Sequence, residues 1–128
     1  MAYAKLKNTY AKNELESQVN ERSSHQLVAL LFDEAYVLSN RMLALYKGHP
    51  NGPFLEASNK FIRIVLGLRT VLDMEQGGEV AEALFESYSA IASCAFKQIR
   101  NPNESDLQKI SLAMQEIRSA WKECGSGS

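Results

Sequence analysis

Leu107, Ile110, Met114, Ile117 and Trp121 are separated by steps of 3, 4, 3 and 4. Only a helix brings such positions onto one side, because side chains realign about every 3.6 residues in a helix and every two in a strand. Upstream segments obey the same rule. In "SSHQLVALLFDEAYVLSNRMLALYKG", Leu27, Leu31, Leu38, Met42 and Leu45 share a face, with Leu30 and Ala35 beside it. A third segment, about Glu79 to Arg100, carries two stripes: Leu84, Tyr88, Ile91 and Ala95, and next to them Phe85, Ala92, Phe96 and Ile99. Between these, about Phe54 to Met74, Phe61, Ile62, Ile64, Val65, Leu66, Leu68, Val71 and Leu72 cover more than the roughly 100° stripe of a one-sided helix. No alternating run supports a strand. Four helices of about 20 residues, each about 30 Å long, joined by short turns, predict an all-α, antiparallel up-down-up-down four-helix bundle.

Local signals punctuate this plan. Ser23 is a candidate N-cap for the first helix, with Gln26 completing a capping box. Lys47 and Gly48 end that helix, and "HPNGP" at 49–53 is a breaker cluster. In "LDMEQGGEVA", Gly77 is expected to take the left-handed conformation that ends the second helix, and Gly78 to let the third start close by. Arg69 and Asp73, four apart, suit a surface ion pair. Pro102 stops the third helix, and Asn101 or Asn103 caps the fourth. Residues 1–21 read as a loosely held N-terminal arm with a helical turn near 3–12, residues 22–124 as the bundle, and residues 125–128, "GSGS", as a linker or artificial extension.

The 128-residue chain suits one domain. With 14 basic and 15 acidic side chains the formal charge is -1, which offers no electrostatic footing for nucleic acid. No apolar window reaches the roughly 20 residues a membrane helix needs, and the polar N-terminus has no signal core. Two cysteines without a CxxC pair signal neither zinc nor a disulfide framework. Cys94 reads as a small core residue, and a cytoplasmic setting fits. His25 and His49 lack the glutamate partners of a bundle metal site. Asp73, Glu75, Glu79 and Glu82 cluster at a turn, where solvation or helix-end charge is the expected role rather than acid–base work. No serine has a base at a useful spacing. No cofactor, metal or catalytic residue is expected, and the chain does not read as an enzyme.

"LRTVLDMEQGGEVAEAL" at 68–84 resembles the signature of the flagellin-specific export chaperones, the FliS family, of the form L-D-x-x-x-G-G-[EQ]-[IV]-A-x-x-L. Leu72, Asp73, Gly77, Gly78, Glu79, Val80, Ala81 and Leu84 supply it. Tyr10 meets the family's N-terminal tyrosine. "VNERSSHQLVALLFDEA" resembles a further family stretch through Val19, Ser23, Leu27, Leu31, Phe32 and Asp33, and "IRSAW" resembles the family tail through Ile117, Arg118 and Trp121. Ser24 stands where the pattern has proline, and Glu34 where it has glycine.

The resemblance implies a cytoplasmic protein that binds the C-terminal segment of flagellin, keeps it from polymerising early and helps deliver it to the flagellar export gate. On that basis the surplus apolar surface of the second and third helices is expected to hold the client, helix-in-groove. Ile62, Val65, Leu66, Arg69, Leu84 and Tyr88 are the expected contacts, and Tyr10 on the arm the cover of the empty groove. Asp73, Gly77 and Gly78 form the structural turn, and the assembly state is a monomer or weak homodimer. The competing reading is a helical regulatory module for a signalling or transcription partner.

Overall fold

The computed structural model describes residues 21–47, 51–70, 72 and 74–127, and at 21–25, 74–77 and 124–127 the backbone only. Four helices follow one another: α1 (Glu21–Leu45), α2 (Gly52–Thr70), α3 (Met74–Arg100) and α4 (Glu104–Gly127). The described residues contain no strand. α1 packs on α2 and α4, and α3 packs on the same two, so α1 and α3 lie across the core from each other, as do α2 and α4. This is the expected four-helix bundle.

The core falls where α4's spacing demands. Leu107, Ile110, Met114 and Trp121 are buried and Ile117 is half-buried. α1 differs from expectation. Its core face is Val28, Phe32, Ala35, Ser39 and Met42, with Leu38 at the edge. Leu27 and Leu31, expected inside, are 42% and 39% exposed. Both rows are helical in spacing. The winning row carries Phe32, which meets Trp121 edge-on at 5.8 Å between ring centroids. Two fully buried aromatics bring more apolar area out of water than two leucines do.

That ring pair belongs to a larger clasp between α1 and α4. Arg118 donates from Nε to Asp33, and Lys122 Nζ stands 3.3 Å from the same carboxylate oxygen. The Arg118 guanidinium also covers the Tyr36 ring at 4.9 Å. Further along, Ser111 Oγ donates to Asn40 Oδ1 at 2.6 Å. The Asp33 carboxyl is held below its ordinary range chiefly by the hydrogen bond from Arg118; burial opposes this, and Lys122 adds to the lowering.

Turn residues explain the helix ends. Asn51 serves two helices at once: Nδ2 donates to the Leu45 carbonyl at the end of α1 (3.1 Å), and Oδ1 accepts from the Phe54 N–H in the first turn of α2 (2.9 Å). The cap starts α2 at Gly52, two residues before the expected Phe54, with Pro53 tolerated in the first turn. At the same end of the bundle, in the turn between α3 and α4, Asn103 caps α4, accepting from Asp106 N–H at 3.1 Å. Gln98, 1% exposed, accepts from Asn103 N–H at 2.7 Å and donates to the Cys94 carbonyl at 3.2 Å. α1 already covers Glu21, so Ser23 lies inside the helix instead of capping it. α4 continues through Gly127 into the glycine–serine tail.

Candidate interaction surface

Two helices build the candidate surface, and a kink sets how they meet. α3 is interrupted at Gly78, whose backbone sits at φ 54°, ψ -130°. That region is open almost only to glycine. Among the described residues the positive φ falls on Gly78, not on Gly77 as expected. A Cβ at Gly78 would meet no neighbour, so the requirement is one of backbone strain and not of space. Past the kink, Ala81, Tyr88, Ile91, Ala92 and Ala95 turn into the core.

The flank of α3 nearest α2 carries Phe85, Ser89 and Phe96, spaced 4 and 7. Phe85 and Phe96 are 40% and 53% exposed. Across the seam, Arg69 on α2 donates from a guanidinium nitrogen to Ser89 Oγ at 3.1 Å, and its guanidinium carbon lies 5.1 Å from the Phe85 ring centre. Leu66 sits one turn before Arg69 on the same side of α2 and is half-buried against the core. The seam therefore has one fixed cation at its end and half-covered rings along its length. A stacked guanidinium over a ring is a modest attraction at an exposed site and a stronger one once water is excluded. A partner laid along the seam would thus bury the rings and strengthen the Arg69 contact together.

The expected contacts divide. Arg69 and Leu66 lie at the seam. Ile62, Val65 and Tyr88 are 5%, 0% and 0% exposed and belong to the chain's own core, so they offer no surface to a partner in this structure. Leu84 is half-buried against that core. The reason is positional: α2 is gripped by α1 on one side and α3 on the other, and its wide apolar surface is consumed between them. Among the described residues, no large apolar side chain of α2 is exposed, and the exposed ones are on α1, α3 and α4. Tyr10 lies outside the described residues, as does Asp73, so the Arg69–Asp73 pair falls there too. Phe85, Ser89 and Phe96 were missed as contacts, although the second stripe of the third helix contained both phenylalanines.

Cys94 is half-buried rather than core, and its thiol is pushed up chiefly by burial and secondly by the charge of Asp106. The side chains of both histidines lie outside the described set. Among the described residues, no three His, Cys, Asp or Glu side chains gather as a metal site would require, and no helix is long and apolar enough to cross a membrane.

The fold is that of a small helical bundle with half-exposed rings along one interhelical seam, the kind of surface at which helical proteins take up partners. Comparison with known proteins narrows the class. The profile of the family described as flagellar protein FliS matches residues 6–128. A flagellar secretion chaperone FliS from Salmonella typhimurium strain LT2 is 35% identical over 117 residues, covering 89% of this chain and 85% of that protein. Flagellar secretion chaperone FliS of Vibrio cholerae is 28% identical over 116 residues, 89% of this chain and 84% of that protein. The chaperone FliSB of Pseudomonas aeruginosa is likewise 28% identical over 116 residues, 88% of this chain and 89% of that protein. The chain belongs to the FliS family of flagellar export chaperones.

Proposed function

We propose that this protein binds the C-terminal segment of flagellin in the cytoplasm, holds it back from premature polymerisation and presents it to the flagellar export gate. The observation that carries the reading is the α2–α3 seam, where Phe85 and Phe96 stand half-exposed on one flank and Arg69 spans the end. Apolar anchors of a helical or extended client fill the seam, and Ser89 and Arg69 meet its polar backbone or acidic groups. The residues ahead of α1 serve as an arm that carries Tyr10 over the seam when it is empty, and the four helices form the holding bundle.

Magnitudes favour a contact longer than one pocket. A client with no structure of its own loses ordering entropy on binding, so several anchors are needed to reach useful affinity. Burying the exposed half of Phe96 removes roughly 100 Å² from water, about 2 kcal/mol, or close to thirtyfold in Kd. Calorimetric titration with a flagellin C-terminal peptide tests this. Phe96→Ala should weaken binding by at least about tenfold with unchanged helical circular dichroism. Equal affinity for wild type and for a Phe85→Ala, Phe96→Ala double variant would remove the seam from the proposal.

A further inference from the structure

Arg100 follows Phe96 by four residues on α3, and so continues the flank that carries Phe85, Ser89 and Phe96. Past Phe96 that flank reaches a cavity. Where α3 turns into α4, Lys97, Gln98, Arg100, Asn101, Asn103 and Asp106 line a space of about 330 Å³, within the range of sites that hold small groups. Its floor is fixed. Gln98, 1% exposed, accepts from the Asn103 N–H and donates from Nε2 to the Cys94 carbonyl and to Asp106 Oδ2, the last at 3.3 Å. Its rim is cationic. Lys97 and Arg100 are exposed, and neither has an ion-pair partner among the described residues. Asp106 is engaged by Gln98, so two cations stand against one acid. The last turn of a helix favours cations, but that does not occupy their donors.

We infer that this cavity receives the terminal carboxylate of the client and so fixes the direction in which the client lies, with its last residue at the α3–α4 turn and its upstream part toward Arg69. That direction rests on the C-terminal segment of flagellin being the client, as proposed above. A chain end brings what the rim lacks: a full negative charge and two acceptor oxygens, which suit a guanidinium fork and an ammonium together. An acidic side chain carries the same group. Position decides for the chain end, because α3 stops at Arg100 and the flank offers a longer client nothing further to follow. Phe85 and Arg100 lie about 22 Å apart along α3 at 1.5 Å per residue. The last ~15 residues of a helical client, or ~7 of an extended one, therefore fill the seam.

Calorimetric titration of the full chain with a flagellin C-terminal peptide, as the free acid and as the C-terminal amide, is the test. At low salt the amide should bind about tenfold more weakly, and the gap should narrow as salt rises. Arg100→Gln and Lys97→Gln should each shrink the gap, and the double variant should bind both forms alike, with helical circular dichroism intact. On the wild-type protein, a photoreactive final residue in the peptide should label residues 97–106 and not the Arg69 end of α2.

Acid and amide binding equally, or a gap that survives in the double variant, overturns the assignment. So does a double variant that binds more weakly when the wild type shows no gap, which places an acidic side chain in the cavity instead. Labelling at the Arg69 end reverses the direction and overturns it too. A peptide that binds in neither form overturns the proposed function and this direction with it, whereas the earlier outcomes overturn the direction alone.

Discussion

Replacing Asn51 with alanine removes both hydrogen bonds that join α1 to α2. The first is an N-cap, Oδ1 to the Phe54 N–H at 2.9 Å, and loss of such a cap costs about 1 kcal/mol. The second is Nδ2 to the Leu45 carbonyl at 3.1 Å, part-buried, with a net contribution of about another 1 kcal/mol. Neither orphaned group gains a partner from alanine, so the sum is about 2 kcal/mol, a fall in Tm of about 6–8 °C for a chain this size. Asn51→Asp separates the two. Aspartate keeps the acceptor for Phe54 and adds favourable charge at the helix start, but it cannot donate to Leu45 and sets a carboxylate beside that carbonyl. It should therefore fall between wild type and alanine. Urea unfolding followed by circular dichroism reads both. An alanine variant within about 0.5 kcal/mol of wild type would falsify the double-cap account.

Other outcomes follow from the same coordinates. Gly78→Ala should cost about 1–3 kcal/mol from backbone strain alone, measured by thermal unfolding; a neutral result would mean the positive φ is dispensable. Ser58→Ala should be neutral or stabilising in the same assay, because the buried Ser58 hydroxyl has no hydrogen-bond partner. Val65→Asp should unfold the protein, by about 3–5 kcal/mol, since Val65 has no exposed surface; a folded variant would return Val65 to the surface. Asp33 has a depressed folded-state carboxyl pKa relative to 3.8. Its contribution is thus fully present above the unfolded value and lost as pH falls through the lower folded value. Asp33→Asn should therefore show a shallower loss of stability on acidification below about pH 4 than wild type.

The chain's spacing made the number, order and type of helices legible, because α4 has one apolar row and no competing one. α1 shows where periodicity runs out. Leu27 and Leu31 form as good a row as Val28 and Phe32, and only the partner across the bundle, Trp121 on α4, chooses between them. A pairing of residues 89 positions apart leaves no local trace. The same limit governed the site. Ile62, Val65 and Leu66 look alike as letters, yet the first two are enclosed by neighbouring helices and the third reaches the seam. Phe85 and Phe96 were visible as a second stripe on the third helix, and the missing information was which stripe the core would take. Asn51 was hidden within a breaker cluster whose proline and glycine suggested only a loop. By contrast the weak motif matches at Phe32–Asp33 and at Arg118–Trp121 gain a shared physical reason, since they interlock as the clasp between α1 and α4.

The central claim is that a flagellin tail lies along the α2–α3 seam, and site-specific photo-crosslinking locates it directly. A photoreactive phenylalanine analogue at position 96 and another at position 112, where exposed Leu112 lies on α4 away from the seam, are irradiated with a flagellin C-terminal peptide. The account predicts a covalent adduct from position 96 and none from position 112. An adduct from 112 with none from 96, while the peptide remains bound in both, contradicts it.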